Sequence, residues 1–132
     1  MELKKENLVL DSTYRTCYWE EDRNQLTVIS KGYVPNDKYV SAVSEVLEVI
    51  KKYKPEKILF DVRDYRAVSD ENKLWVKKNY LALLGDIGVK YVAGVIGDVF
   101  GTVVIKNLFQ FLDETNIESK TCKLSVLIRF LL

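Results

Sequence analysis

The sequence predicts a single α/β domain with a mostly parallel, five-stranded sheet, in which the first strand is an antiparallel edge strand from a β-hairpin. Three observations lead to this fold class. Strand-like and helix-like segments alternate along the chain, two short apolar runs (Lys57–Val62 and Tyr91–Ile96) have the character of buried strands, and an aromatic-rich hairpin precedes them. Such alternation is typical of parallel sheets. A length of 132 residues fits one domain, residues 1–132.

The N-terminal hairpin is predicted from two segments rich in aromatic and β-branched residues, Tyr14–Glu20 and Leu26–Lys31. The polar stretch EDRNQ between them supplies the turn. These segments therefore form the first two predicted strands.

The clearest helix is predicted to begin at Asn36 or Asp37, either of which can serve as the N-cap, and to end at Tyr53. Its apolar residues recur every three or four positions, and its charged residues take the other side. This helix is therefore amphipathic and covers the sheet.

A second helix is predicted to begin after Ser69, which acts as its N-cap. Asp70 and Glu71 lie in its first turn, where the helix dipole favours anions. Its apolar residues are poorly focused on one face, and it is predicted to end near Gly85 or Gly88.

The remaining elements are a third helix over Thr102–Glu114, a last strand over Ser119–Lys123, and a short helix over Leu124–Leu132. The element order is therefore β-β-α-β-α-β-α-β-α.

Both faces of the two central strands are apolar, so both are expected to be dry. The side chains divide between the faces as follows: Ile58, Phe60 and Val62 oppose Leu59, and Tyr91, Ala93 and Val95 oppose Val92 and Ile96. If each strand lies beside its predecessor, right-handed crossovers put every helix on one face. The other face then needs a partner chain, the terminal segment or an apolar ligand as its cover. A doubly wound strand order would remove this need, and the sequence leaves both orders open.

Composition excludes several kinds of function. The chain has no His, so Ser-His-Asp and Cys-His triads cannot form. The 20 Lys and Arg residues nearly balance 19 Asp and Glu, which argues against nucleic-acid binding. Cys17 and Cys122 lie far apart without metal spacing, as expected of buried fillers in a reducing compartment, although one disulfide stays open. No apolar run can span a bilayer and no signal peptide is evident, so a cytoplasmic location without a cofactor is expected.

The hairpin, the amphipathic helix and then ILFDVRDY before an acidic helix start resemble the STAS superfamily, and in particular its SpoIIAA-like, STAS/SEC14-like relatives. The resemblance covers about Tyr14 to Lys123. It implies a (βα)n superhelix of SpoIIAA-like type with consecutive strands, a regulatory or binding role, and no catalysis.

The sequence departs from this family where a regulatory phosphorylation would occur. In the bacterial anti-sigma-factor antagonists of the family, a strand ending in Asp-Leu leads to an Asp-Ser-Ser-Gly turn whose serine is phosphorylated. Aligning Asp61-Val62 with that Asp-Leu places Ser69 on the turn's aspartate, and Asp70 and Glu71 on its serines. A fixed negative charge then replaces the phosphate. The resemblance therefore favours the branch without the serine.

Candidate sites are expected beyond the carboxyl ends of the parallel strands. The candidate binding rim there comprises Asp61, Arg63, Asp64, Tyr65, Ser69, Asp70, Asp98 and Phe100. Asp61, Asp64 and Asp98 could hold Mg²⁺, but pairing of these acids with nearby arginines is favoured, and no metal is expected. The glycines of GVIGDVFGT are interpreted as a tight turn because no Walker lysine follows.

Two functions from different classes follow. The first is a non-enzymatic regulatory or protein-interaction module, expected to be a homodimer because LSVLIRFLL should not stay in water. The alternative is a binding protein for a small apolar ligand or lipid, held between the sheet and the second and third helices. Its candidate apolar pocket comprises Phe60, Trp75, Val95, Leu108 and Phe109, with Phe100 of the rim nearby. A metal-dependent enzyme using Asp61 or Asp98 is the least favoured reading.

Overall fold

The computed structural model describes residues 3–61, 69–95 and 118–122. In these ranges the chain forms one six-stranded sheet, with two helical segments on it. The strands are β1 (Leu8–Asp11), β2 (Arg15–Glu20), β3 (Gln25–Ser30), β4 (Lys57–Asp61), β5 (Tyr91–Val95) and β6 (Glu118–Cys122). The α-helices are α1 (Asn36–Tyr53), α2 (Asp70–Val76) and α3 (Ala82–Ile87).

The strands lie in the sheet in the order β1-β2-β3-β4-β5-β6, so each pairs with its predecessor in the chain. β2 is antiparallel to both of its neighbours, β1 and β3, whereas β3 to β6 run parallel to one another. The predicted α/β class with a mixed sheet is therefore confirmed, and the doubly wound alternative is excluded for these strands.

The predicted number of strands is wrong, because Leu8–Asp11 adds a sixth. This strand pairs with β2 across an irregularity between Leu8 and Leu10, and it takes the edge position predicted for the first hairpin strand. Four residues interrupted by a bulge are too short to show the alternation by which strands are recognised.

Helix α1 has the predicted bounds but not the predicted cap. Pro35 occupies the N-cap position with φ −56°, and its side chain makes no capping hydrogen bond. Asn36 and Asp37 already lie inside the helix, where both are exposed. At the other end Lys54 adopts a left-handed conformation, with φ 48°, and donates its N–H to the Ile50 carbonyl at 2.8 Å.

The second helical segment begins after Ser69, as predicted, but it contains a π-helical turn at Lys77–Leu81 between α2 and α3. A four-residue step on an α-helix overshoots one turn by about 40°, so residues spaced by four drift around the helix. The wider π turn offsets this drift, and four side chains spaced by four are all buried: Asn72, Val76, Tyr80 and Leu84. The turn thus explains why the apolar pattern looks unfocused. The segment ends before Gly88, whose φ of 102° suits glycine.

The described helices all pack on one face of the sheet. Leu26, Ile58 and Val92, aligned across β3, β4 and β5, join the same buried cluster as Ile50 of α1 and Leu84 of α3. Consecutive strand order with right-handed crossovers predicts this one-sided arrangement.

The opposite face is also dry at its centre. Thr27, Leu59 and Ala93 lie in one row across the same three strands, and Leu59 and Ala93 are 1% and 0% exposed. The prediction that both faces are dry is confirmed at these positions. Because this burial occurs within a single chain, no partner chain is needed to produce it. The predicted third helix (Thr102–Glu114) and terminal segment (Leu124–Leu132) lie outside the described residues.

The amino ends of the parallel strands are tied together through Glu56. Its backbone N–H donates to Asn24 Oδ1 at 3.0 Å, and its carbonyl accepts from the N–H groups of Lys90 and Tyr91. The Lys90 ammonium lies 2.8 Å from the Glu56 carboxylate. Asn24 tolerates its left-handed conformation, with φ 50°, as asparagine commonly does.

Across the described ranges, no helix is both long and apolar enough to cross a bilayer.

Candidate functional site

Three residues of the predicted rim lie within the described ranges. Asp61 ends β4, and Ser69 and Asp70 begin the second helical segment, all at the carboxyl side of the parallel strands. The other five predicted rim residues lie outside the described residues: Arg63, Asp64, Tyr65, Asp98 and Phe100. The parallel topology thus places Asp61 and the start of α2 at the expected edge of the sheet.

The Ser69 hydroxyl is engaged in capping the helix. Its Oγ accepts a hydrogen bond from the Asn72 N–H at 3.2 Å, with extended backbone at Ser69. This geometry confirms the predicted N-cap. The serine hydroxyl therefore has a structural role in this conformation.

The side chains after Ser69 present negative charge to solvent. Asp70 and Glu71 are both exposed. Lys73 Nζ approaches Asp70 Oδ1 only to 3.9 Å, and pairs at such exposed positions contribute little. The start of α2 therefore presents two exposed acidic side chains, Asp70 and Glu71, to the surroundings.

Asn72 joins this helix start to the start of α1. Its buried side-chain amide donates from Nδ2 to the Asn36 carbonyl at 3.0 Å. The segment just before α1 carries Tyr33, which is 57% exposed. Tyr33 was not among the predicted rim residues, although an aromatic residue between Gly32 and Pro35 was an available signal.

A second exposed apolar side chain lies on α2. Leu74 is 48% exposed and follows Asp70 by four residues, so the two occupy neighbouring positions on one helix face. We call six residues at the starts of α1 and α2 the acidic rim: Tyr33, Asp37, Ser69, Asp70, Glu71 and Leu74. Carboxylates interspersed with an aromatic and an aliphatic side chain suit contact with a protein that carries basic and apolar groups.

Two members of the predicted apolar pocket are described with their side chains. Phe60 and Trp75 are partly buried and pack against the core. The Phe60 and Tyr80 rings lie 6.0 Å apart, so Tyr80 lines this region too. The side chain of Val95 and the whole of Leu108 and Phe109 lie outside the described residues, and the pocket stays a prediction.

A buried polar cluster lies beneath the helices and was not predicted. Arg15 is 4% exposed, and its Cζ lies 6.0 Å from the centre of the Tyr39 ring. Arg15 Nη1 donates to the Tyr14 carbonyl at 2.9 Å. Alternation along β2 puts Cys17 on the same side as Arg15, facing the helices.

Tyr80, which lies in the π turn, belongs to the same buried core as Cys17 and Tyr39. Its hydroxyl is buried, and within ranges 3–61, 69–95 and 118–122 no group forms a hydrogen bond with it. Burial raises the pKa of Tyr80 well above its ordinary value; Cys17 adds to this effect and the positive charge of Arg15 opposes it. Burial also raises the pKa of the Cys17 thiol to about 12, so this thiol stays protonated.

The acids considered for Mg²⁺ are mostly outside the described residues, which include Asp61 but not Asp64 or Asp98. Among the residues that the structure does describe, no three His, Cys, Asp or Glu side chains come together as a metal site requires.

Comparison with known proteins identifies no relative of this chain. No protein-family model matches the chain, and no curated protein or solved structure matches it.

Proposed function

We propose that this protein is a non-enzymatic regulatory module, a STAS/SpoIIAA-like domain that acts through protein contact at the acidic rim. The observation that carries the proposal is the start of α2, where Ser69 is used as a cap while Asp70 and Glu71 stay exposed. A surface with permanent charge at this position binds a partner without prior phosphorylation.

The topology supports the same proposal. The resemblance to the STAS superfamily implies consecutive strands, and the described strands have that order. Folds of one type host many functions, so the function is argued from the rim and not from the topology.

The chemistry of the rim suggests the class of partner. Asp37, Asp70 and Glu71 are exposed carboxylates, and Tyr33 and Leu74 add exposed apolar area beside them. A protein with a basic surface and a small apolar depression complements both features. Binding should therefore weaken as salt screens the charges. Homodimer formation and a cytoplasmic location remain predictions beside this proposal.

The test compares a rim variant with a matched charge-reversal control. The double variant Asp70→Lys/Glu71→Lys reverses the rim, and Glu45→Lys/Glu48→Lys reverses two exposed acids in the middle of α1. Partners recovered from the source cells are identified by mass spectrometry, and their affinities for purified wild-type and variant proteins are then measured. A rim partner binds the wild type and the α1 control but loses at least about tenfold in affinity for the rim variant. Equal binding by all three proteins contradicts the proposal.

Two substitutions of Ser69 separate a fixed surface from a phosphorylation switch. Ser69→Asp keeps a capping oxygen and adds charge, whereas Ser69→Ala removes the cap. A fixed surface binds the partner with both variants once each is shown to be folded. Loss of binding in Ser69→Asp alone would instead indicate that added charge at this serine regulates the contact.

A further inference from the structure

We propose that the terminal segment, residues 124–132, covers the second face of the sheet within its own chain. The second face is the one opposite the described helices, with Thr27, Leu59 and Ala93 at its centre. None of these three residues belongs to the acidic rim, so this inference and the proposed function are tested separately.

The centre of the second face is too deeply buried for a bare sheet. Thr27 and Leu59 are each 1% exposed, and Ala93 is 0% exposed. Gln25, two residues before Thr27 and therefore on the same side of β3, is also 0% exposed. Side chains stand roughly perpendicular to a sheet, so neighbouring strands shield only their flanks. Burial this complete therefore requires a second layer of chain over the face.

The described helices do not supply this layer. They pack on Leu26, Ile58 and Val92, the alternate residues of the same strands. Leu59 and Ala93 are equally buried, but among the described residues they lie outside that core cluster. The layer over the second face therefore comes from outside the described ranges.

The handedness of the connections narrows the choice to one segment. Residues 96–117 join the parallel neighbours β5 and β6, so we expect a right-handed connection to carry them over the same face as α1. Residues 62–68 join the end of β4 to the start of α2, at the carboxyl edge of the sheet. The terminal segment is the remaining part of the chain that is long enough to form a layer.

The terminal segment has the composition and the reach for this position. Seven of its nine residues, LSVLIRFLL, are apolar. It begins two residues after Cys122, the last residue of β6. Leu59 lies in β4, two strands from β6 and therefore about 10 Å away. Nine residues span about 13 Å as a helix and about 30 Å when extended, so either form reaches the centre of the face.

A cover from the same chain also accounts for the apolar side chains of the segment. If a second copy covered the face, LSVLIRFLL would need another place away from water. Packing of the segment on Leu59 and Ala93 removes both apolar surfaces from water at once. The prediction of a homodimer rested on this segment, whose apolar surface is here buried within one chain. A second copy or an apolar ligand gains this face only when the segment leaves it.

The test measures the contribution of Leu59 with and without the apolar side chains of the segment. A terminal-segment variant keeps the full chain and carries Val126→Ser, Leu127→Ser, Ile128→Ser and Phe130→Ser. In the wild type, Leu59→Ala should lower the urea midpoint by about 1.5–2 M. In the terminal-segment variant it should lower the midpoint by less than about half as much, because Leu59 is already exposed to solvent.

Ile58→Ala is the matched control, because Ile58 is 2% exposed at the adjacent position of β4 and faces the helices. It should lower the urea midpoint by the same amount in both backgrounds. An undiminished effect of Leu59→Ala in the terminal-segment variant would overturn the proposal. An equal reduction in the effects of both substitutions would overturn it too, because the segment would then support the whole fold and not this face.

Trypsin cleavage after Arg129 tests the proposal even if the terminal-segment variant does not fold. In the native wild-type chain this bond should be cleaved at least about tenfold more slowly than in a free peptide of residues 119–132. Leu59→Ala should accelerate the cleavage more than Ile58→Ala does, because only Leu59 packs against the segment. Cleavage at the rate of the peptide, or equal acceleration by the two substitutions, refutes the cover. Protection that is lost on dilution also refutes it, because a second copy then supplies the cover.

Discussion

The dry second face of the sheet makes the replacement of Leu59 by alanine an informative perturbation. Leu59 is 1% exposed on the face opposite the described helices. The substitution removes three carbon groups, worth roughly 2–2.5 kcal/mol of transfer free energy at about 0.8 kcal/mol each. The remaining cavity adds to this cost, so we expect the free energy of unfolding to fall by about 3 kcal/mol.

Urea unfolding measures this loss. A denaturant slope of about 1.5–2 kcal/mol per molar converts the expected cost into a midpoint lowered by about 1.5–2 M. Leu74→Ala is the matched control, because Leu74 is 48% exposed and its truncation should cost no more than about 0.5 kcal/mol. Both variants are compared with the wild type at two protein concentrations.

Burial within a single chain requires unfolding midpoints that do not depend on protein concentration. If Leu59→Ala lowers the free energy of unfolding by no more than Leu74→Ala does, this face of the sheet is accessible to solvent. A wild-type midpoint that rises with protein concentration would show that a second chain contributes to the cover. Either result would refute the assignment of this burial to one chain.

Three further outcomes are expected. In urea unfolding, Ser69→Ala should lower the free energy of unfolding by about 1 kcal/mol, whereas Ser69→Asp should leave it nearly unchanged, because only the alanine variant loses the cap. Equal stabilities of the two variants would contradict the capping role of Ser69. Lys90 lowers the pKa of Glu56 from 4.5, and Glu56 raises the pKa of Lys90 from 10.5. The stabilisation by this ion pair is therefore present between pH 4.5 and pH 10.5 and is lost as pH falls below 4.5 or rises above 10.5. Glu56→Gln should therefore flatten both flanks of the curve of unfolding free energy against pH at low salt, and identical curves for variant and wild type would refute this coupling. Because burial raises the pKa of Cys17 to about 12, alkylation located by peptide mass spectrometry should reach it only upon unfolding, and rapid labelling of the native protein would contradict its burial.

The elements predicted well are those whose signal is local. Helix α1 shows its amphipathic face over 18 residues, and β4 and β5 are short apolar runs bounded by charge. The last strand, predicted over Ser119–Lys123, is found at Glu118–Cys122. Each of these signals lies within the segment itself, so no knowledge of its neighbours is needed.

The elements missed depend on partners distant in the chain. β1 becomes a strand only by pairing with β2, and its four residues carry no period of their own. The π turn at Lys77–Leu81 follows from packing Tyr80 and Leu84 together against the sheet. Similarly, a capping signal at Asn36 was overridden because the chain enters α1 through Pro35.

Among the residues of the candidate sites, those with a local sequence signal were predicted and those whose position depends on distant pairing were not. Ser69 was predicted as a cap from its position before two acids, and that geometry is confirmed. The burial of Arg15 was not predicted, because arginine is rarely buried and because its side of the strand depends on the pairing of β2 with β3. Alternation with Cys17 and Trp19 along β2 was the only available signal.

The consecutive order of the strands also bears on how the protein is made. During synthesis, each strand that leaves the ribosome finds the preceding one already present, so the sheet can grow by addition at one side. No early strand has to wait for a late one to be inserted beside it. We expect the hairpin of β2 and β3, joined by the short turn at Glu21–Arg23, to be the seed for this growth.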